Sequence, residues 1–307
     1  MKNILLSSIF ISLVFFNAAS ASDSRAGTSA FSFLKIGAGA RAAGMGESFT
    51  AVANDVSALY WNPAGIAQLE NRIQASITHN IWLDGISHDF AGCIFQFDQF
   101  QMITFGASLV TLTAGSIEGF DASDAPSGTY TAGNTAIALS AAKAVVSDSI
   151  YAGFTIKDAM ETLETHSASA LAVDIGGLYR LSPQISLGAC MQNIGTGVKY
   201  VSQEYALPFT LKAGACYMSD PYSSDHPYTV SADMVIPNDN SVRVNAGCEY
   251  VLNALVDLRA GYANGGLTFG AGGKFTVGET RGLLVDIALS PYGSAGMSTR
   301  LSATLKF

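Results

Sequence analysis

Most of the sequence after residue 72 repeats one pattern. Runs of about ten residues alternate apolar with small or polar side chains, and clusters of Gly, Asn, Asp, Ser or Pro separate the runs. The alternation places the apolar side chains on one face of each strand. No stretch after residue 22 has the roughly 18 consecutive apolar residues of a membrane helix, although 49% of the residues are hydrophobic and only 13% are charged. The pattern therefore predicts strands that cross a membrane.

The predicted fold class is all-β: an antiparallel transmembrane β-barrel of about fourteen strands with a small N-terminal helical plug. Single-chain bacterial barrels have an even number of strands. The predicted strands lie at 72–82, 88–97, 101–112, 134–144, 149–157, 167–179, 185–194, 207–218, 227–235, 241–251, 254–262, 266–276, 282–290 and 297–307. Tight turns are predicted at Pro237–Asn240 and Asn264–Gly266. Exterior loops are predicted at Thr113–Gly133, Lys157–Ser167, Gly195–Ala206 and Ser219–Pro227.

The N-terminus has the features of an export signal. Lys2 precedes a mostly apolar run from Ile4 to Phe16, and Ala19-Ser20-Ala21 is a small-residue cleavage site. The run is too short for a stable membrane-spanning helix, so cleavage after Ala21 is favoured over a permanent N-terminal anchor. The sequence thus predicts an exported protein of the outer membrane. Its predicted parts are a signal peptide at 1–21, a plug segment at 22–71 and a barrel at 72–307.

Charged side chains of both signs fall on the strand faces that are predicted to line the lumen. A charge inside a barrel must be paired or hydrated. We therefore favour ion pairs between neighbouring strands over an ion-selective path. The residues are Asp174, Lys212, Arg243, Glu249, Asp257, Arg259, Lys274, Asp286, Arg300 and Lys306.

Aromatic residues lie near the ends of many predicted strands. Girdles of Tyr and Trp are typical of the two membrane interfaces of a barrel. The alternative, aromatic packing in the core of a soluble sandwich, is disfavoured by the low charge. The residues are Trp82, Tyr130, Tyr151, Tyr179, Tyr200, Tyr217, Tyr228, Tyr250, Tyr262 and Tyr292.

Composition and motifs argue against several other functions. A net charge of −8 provides no electrostatic footprint for nucleic acid. The four cysteines and four histidines lack metal-ligand spacing, so neither a metal nor a cofactor is predicted. Gly37-x-Gly39-x-x-Ala42 imitates a dinucleotide fingerprint but lacks its βαβ context. G-x-S-x-G is absent, so a membrane lipase is disfavoured and we predict no enzyme activity.

The densest motif lies between residues 37 and 67. Its glycines and alanines permit close backbone approach. Asp55 is placed to cap a short helix that ends at Trp61, and Asn62-Pro63 is a cap and first-turn pair for a second helix. Compact helices of small residues suit a plug inside a barrel.

This motif, A-R-A-x-G-M-G followed by A-x-x-x-D-x-x-A-x-x-x-N-P-A-G, resembles the N-terminal hatch of the FadL-like outer-membrane barrels, and most closely that of the PorV/PorQ branch. The resemblance covers Leu34 to Leu69 closely. Beyond that it rests on strand pattern, length and Phe307, which resembles the C-terminal signal that directs barrels to their assembly machinery. It implies a fourteen-stranded barrel with a plug, and structural roles are favoured over ligand contact for the matching positions. These are Arg41, Gly44, Met45, Gly46, Asp55, Asn62, Pro63, Ala64 and Gly65.

The resemblance also implies function. PorV relatives serve type IX secretion, in which the barrel binds the C-terminal signal domain of exported cargo and escorts it to the surface. FadL relatives pass fatty acids or other hydrophobic compounds through the wall, but this chain is short for the large exterior loops of such a pocket. We expect a monomeric cargo-binding or escort component; uptake of hydrophobic small molecules is the second hypothesis, and a purely structural wall protein the third. The expected partners are outer-membrane lipid, the barrel-assembly machinery, and exported proteins or hydrophobic small molecules.

Overall fold

The computed structural model describes residues 27–69, 72–83, 85–97, 103–146, 149–164, 166–200, 203–220, 225–277, 281–292 and 296–307. Its strands are β1 Ile73–Ile81, β2 Ser87–Phe97, β3 Ile103–Phe120, β4 Pro126–Val146, β5 Ile150–Leu163, β6 His166–Arg180, β7 Ile185–Gly195, β8 Val198–Tyr200, β9 Gln203–Tyr205, β10 Thr210–Met218, β11 Tyr228–Pro237, β12 Arg243–Val251, β13 Val256–Ala263, β14 Gly266–Val277, β15 Arg281–Pro291 and β16 Met297–Lys306.

Fourteen of these strands form a closed antiparallel barrel, which confirms the predicted fold class. Each pairs with its neighbours in sequence, except that β7 pairs with β10 and a separate two-stranded sheet, β8–β9, lies between them in the chain. The barrel closes where β1 pairs with β16, with Gln74 opposite Lys306. Closure leaves no unpaired edge strand in the wall, as a bilayer requires.

The alternation of side chains is the one that the sequence predicts. Leu171, Ile77 and Leu139 point outward and are 66%, 64% and 64% exposed, whereas Asp174 is buried in the interior. Apolar side chains on the outer face match a hydrocarbon environment. Among the described residues, no helix is both long and apolar enough to cross a membrane.

Two predicted exterior loops are strands instead. Most of Thr113–Gly133 continues β3 and β4 as a long hairpin, whose turn lies at 121–125. Most of Lys157–Ser167 continues β5 and β6 in the same way. The Gly, Ser and Thr content of these segments imitates loop composition, but cross-strand pairing continues through them. We call the end of the barrel that carries these turns the hairpin end, and the opposite end, where Phe307 lies, the terminal end.

The other two predicted loops lie at opposite ends of the barrel. Gly195–Ala206 contains the β8–β9 sheet and lies at the hairpin end. Ser219–Pro227 joins the ends of β10 and β11 that lie at the terminal end. Residues 221–224 of this segment fall outside the described residues. The expectation that all four segments are exterior loops was therefore wrong, because the strand ends that they join do not all lie at one end of the barrel. The Asn264-Gly265 turn has positive φ at both residues, which is the geometry of a tight type I′ hairpin.

Part of the predicted aromatic girdle faces the interior. Tyr151 is buried under the plug, and Trp82 packs edge-on against Tyr292 inside the hairpin end. Their positions near strand ends fit a girdle. Successive side chains of a strand point to opposite faces, however, and these side chains point into the barrel. The outward-facing tyrosines near strand ends are Tyr179, Tyr217, Tyr228, Tyr250 and Tyr262.

Residues 27–69 fold inside the barrel. Their elements are a 3-10 turn at Ser32–Lys35, helices α1 Ala40–Gly44 and α2 Ala58–Trp61, and a 3-10 turn at Pro63–Gln68. The segment begins at the hairpin end, where the Ala30 N–H donates to Ala206 O at 3.0 Å, and runs down to β1. The proposed signal peptide and its cleavage site fall outside the described residues.

Candidate functional site: the plug and the barrel wall

Helix α1 lies directly on the wall strands β14 to β16. Its first residue, Ala40, donates its backbone N–H to Ser302 Oγ at 2.8 Å, and Thr268 Oγ donates to Gly44 O at 3.1 Å. Gly44 lies so close to Gly270 that a Cβ on it would be 3.0 Å from the Gly270 Cα. Small residues on both sides therefore let two backbones meet.

The tightest contact follows at Gly46, which has φ +63°. A Cβ on Gly46 would lie 2.4 Å from Ala246 O, and a Cβ on the wall residue Gly261 would lie 2.2 Å from the Gly46 N. Both positions exclude any side chain. The plug glycines belong to the sequence motif, whereas the strand glycines that face them were not predicted; their signal in the sequence is Gly in the middle of a strand. These are Gly92, Gly106, Gly153, Gly176, Gly188, Gly247, Gly261 and Gly270.

Arg41 connects α1 to the wall through a bidentate ion pair. Its Nε and Nη2 donate to the two carboxylate oxygens of Glu249, each at 2.7 Å. Its Nη1 donates to Asn54 Oδ1 at 2.6 Å and to Asp55 Oδ2 at 3.0 Å within the plug. Burial opposes the charge, but the carboxylates of Glu249 and Asp55 raise the pKa of Arg41 above its ordinary value. Arg41 is thus a permanent cation that ties two parts of the plug to the barrel.

Glu249 also belongs to a network of ion pairs in the barrel wall. Arg259 donates to Glu249 Oε2 and to Asp286 Oδ1, both at 2.7 Å, and lies 3.5 Å from Asp257 Oδ2. Lys274 donates to Asp257 Oδ1 at 2.7 Å. The network therefore pairs five of the predicted lumen charges with one another, within and across β12 to β15.

Other lumen charges pair in separate places. Asp174 forms an ion pair with Lys157 at 2.8 Å, at a bulge between β6 and β7. Arg300 is fully buried and donates to Glu47 Oε1 of the plug at 2.9 Å and to the Tyr292 hydroxyl at 3.1 Å.

Lys212 and Arg243 differ from these, because neither forms an ion pair with any carboxylate in the described part of the chain. Lys212 Nζ lies 4.4 Å from the ring centroid of Trp61 and 5.1 Å from that of Tyr60. Arg243 Nη1 donates to Asn264 Oδ1 at 2.9 Å.

The second half of the plug motif, residues 51–65, holds the plug to the wall towards the terminal end. Asp55 Oδ1 accepts from the Ser57 N–H at 2.8 Å, at the start of α2. Asn62 Oδ1 accepts from the Ala64 N–H at 3.2 Å, and its Nδ2 donates to Thr50 O at 2.9 Å and to Gly177 O at 3.1 Å. Asn62 thus caps the final 3-10 turn, as the sequence predicts, and also holds the plug to β6.

Pro63, Ala64 and Gly65 form the next turn and lie against the wall. A Cβ on Gly153 would lie 2.6 Å from Ala64 N, and a Cβ on Gly65 would lie 2.1 Å from Ala53 O. Met45 is fully buried against β12 and β13. Each of these residues takes part in close packing inside the barrel, and the structural role favoured for the motif stays a prediction.

Small cavities remain between the plug and the wall. Two of them have volumes of about 20 Å³ each, roughly room for a single water molecule. The first is lined mainly by apolar side chains, among them Phe33, Leu59 and Val110, with Lys157 and Asp174 at one side. The second is polar and contains Lys212 and Arg243. No group of three or more potential metal ligands occurs among the described residues.

Phe307 lies on the outer face at the terminal end. Its N–H donates to Ile73 O at 3.0 Å, so the end of β16 stays in register with the start of β1. Its role as an assembly signal stays a prediction.

A closed fourteen-stranded barrel with an apolar outer face and an internal N-terminal plug defines the class: an outer-membrane barrel of the FadL-like fold. The solved structures that it resembles show the same fold. The toluene transporter TbuX of Ralstonia pickettii has a TM-score of 0.61 at 13% identity, over 88% of this chain and 97% of that one. The toluene transporter TodX of Pseudomonas putida scores 0.59 at 12% identity, over 88% and 97%. A Pseudomonas aeruginosa FadL homologue scores 0.55 at 11% identity, over 89% and 99%.

The sequence shows to which family the chain belongs. A family model described as type IX secretion system protein PorV matches residues 19–235, so the chain belongs to the PorV family. No curated protein matches the sequence.

Proposed function

We propose that this protein is a cargo-binding escort of type IX protein export, and that it does not conduct small molecules. The observation that carries the proposal is the small volume of the cavities beside the plug. Pockets for small molecules usually have volumes of roughly 300–1,000 Å³, whereas the cavities beside the plug have about 20 Å³. Close backbone contact and the Arg41 pair hold the plug in place. Membership of the PorV family supports the same proposal.

An escort needs an external surface, and the β3–β4 hairpin offers one. Pairing of β3 with β2 ends at Thr113, and pairing of β4 with β5 ends at Ala132. Beyond these points, residues 114–131 form a two-stranded ribbon whose outer edges have no neighbouring strand among the described residues. Such edges are templates for an added strand. Ile117 and Phe120 on the ribbon are 43% and 54% exposed.

The ribbon is acidic. It contains Glu118, Asp121 and Asp124, and no Lys or Arg occurs between residues 114 and 131. Hydrogen bonds from the Ala125 and Ser123 N–H groups lower the pKa of Asp121, so its carboxylate stays charged. The matching partner is an extended strand of an exported protein that presents basic side chains.

Trimming the ribbon tests this proposal. In one variant an Asn-Gly turn joins Thr113 directly to Gly133, which closes β3 and β4 as a short hairpin. The matched control keeps the ribbon and removes only its charge, with Glu118→Gln, Asp121→Asn and Asp124→Asn. We expect the trimmed barrel to insert normally but to deliver less exported protein to the cell surface, and the neutral ribbon to lie between it and the wild type. Unchanged delivery by the trimmed barrel would contradict a docking role for the ribbon.

The second candidate is uptake of hydrophobic small molecules. The apolar lining of the first cavity favours it, since an outward shift of Phe33 and Leu34 would enlarge a greasy space beside the plug. Proteoliposomes that contain the barrel and a trapped fluorescent sensor distinguish the two candidates. We expect toluene and oleate to enter no faster than into protein-free vesicles; faster, saturable entry would favour uptake.

A further inference from the structure

The second cavity lies between the plug and the wall strands β10 to β12. Lys212 and Arg243 reach it from the wall, and Lys35, Glu47, Tyr60 and Trp61 line it from the plug. Lys35 is 28% exposed and lies at the hairpin end, so it marks the mouth of the cavity. Lys212, at its base, is only 5% exposed.

The charges around this cavity are only partly joined in ion pairs. Lys35 forms an ion pair with Asp239 at 2.6 Å, and Glu47 forms one with Arg300 at 2.9 Å. Lys212 and Arg243 remain, and neither has a carboxylate partner in the part of the chain that the structure describes. The cavity is therefore lined by two cations that form no direct ion pair.

These two cations are close neighbours. Lys212 is in register with Val235 of β11, and Val235 is in register with Arg243 of β12. Three successive strands therefore place the two Cα atoms about 10 Å apart, on the same lumen-facing side. Both side chains line one small space. Like charges in a water-poor interior repel one another unless a counter-charge lies between them.

The interior offers only partial compensation. The rings of Trp61 and Tyr60 attract the Lys212 ammonium but supply no hydrogen-bond acceptor. Asp233, the nearby wall carboxylate, accepts from the backbone N–H groups of Phe49 and Thr50 at 2.9 and 2.8 Å through Oδ2. Its charge offsets part of the Lys212 charge, but the two side chains form no direct ion pair. The Arg243 Nε is buried and donates to no atom of the described residues. The cavity thus has one buried guanidinium donor without an acceptor, and two cations without a direct carboxylate partner among the described residues.

We propose that this cavity binds one small monovalent anion of about the size of chloride, held between Lys212 and Arg243. The volume of about 20 Å³ admits a particle of that size. The bound anion reduces the repulsion between the Lys212 and Arg243 charges. Because Lys212 also contacts Trp61 of α2, the anion thereby stabilises the contact between the plug and the wall. This inference concerns the plug alone and does not depend on the escort function.

The direct test uses bromide, which replaces chloride and scatters anomalously. Crystals of the barrel grown without halide and then soaked in sodium bromide are expected to show an anomalous peak in contact with Lys212 Nζ. A second measurement follows Trp61 fluorescence in the Trp82→Phe background, where Trp61 is the remaining tryptophan. Chloride, titrated against gluconate at constant ionic strength, is expected to shift its emission saturably.

Lys212→Met is expected to abolish both the peak and the shift. Lys306→Met is the matched control, because Lys306 is a lumen-side lysine of β16 far from this cavity, and it should keep both. A wild-type protein with no bromide peak and the same emission in chloride and gluconate would overturn the proposal. A peak and a shift that persist in Lys212→Met would overturn it as well.

Discussion

Replacing Gly261 by alanine is the sharpest perturbation of the plug. The new Cβ would lie 2.2 Å from Gly46 N and 2.5 Å from the Met45 carbonyl carbon. These distances are about 1 Å shorter than the closest ordinary contacts in a packed interior, so the backbone of the plug must move away. Overpacking of this kind costs about 2 kcal/mol, which raises the population of a displaced plug roughly 30-fold.

Planar bilayer recordings measure this displacement, because a displaced plug opens a conducting lumen. We expect Gly261→Ala to open markedly more often than the wild type. Gly282→Ala is the matched control: it adds the same methyl group to the wall, where the nearest atom lies 3.8 Å away. Hydrogen exchange at residues 39–50 should rise in Gly261→Ala alone. If Gly261→Ala and Gly282→Ala conduct alike, close backbone contact does not hold the plug, and the reasoning is refuted.

Two further predictions follow from the charge network and the outer face. Arg41→Ala removes one partner of a buried pair, and we expect a loss of about 2–3 kcal/mol, measured by urea unfolding; the loss stays moderate because Arg259 still neutralises Glu249. A double-mutant cycle with Glu249→Gln should give a coupling above about 1 kcal/mol, and additive effects would contradict the pair. Leu171→Arg places a charge on the apolar outer face and should cost up to about 2–4 kcal/mol, depending on the depth of the residue in the bilayer; equal stability in lipid would show that Leu171 does not face the hydrocarbon.

Much of the barrel could be predicted because a strand has a period of exactly two. Once a run is placed, parity assigns each residue to the lipid or the lumen, as Leu171 and Asp174 show. The β3–β4 ribbon was not predicted, because Gly115, Gly119 and Gly128 are typical of loops. Pairing across the ribbon, such as Ile117 with Tyr130, keeps these glycines in strands, and a single sequence does not reveal it.

The site was predictable only on the plug side. Asn62-Pro63 carries its own capping signal, because the cap and its target are two residues apart. The partner of Arg41 is 208 residues away in sequence, so its identity depends on how many strands close the barrel and with what register. The glycines opposite the plug depend on the same geometry, which local patterns do not encode.

The central claim is that this barrel carries exported proteins on its outside and passes nothing through its lumen. Affinity capture of the tagged barrel from its native outer membrane, followed by mass spectrometry, tests the claim most directly. We predict that exported proteins sharing a C-terminal β-domain copurify with the wild type and are depleted when the ribbon is trimmed. Capture of lipid or hydrophobic small molecules alone, with no exported protein, would contradict it.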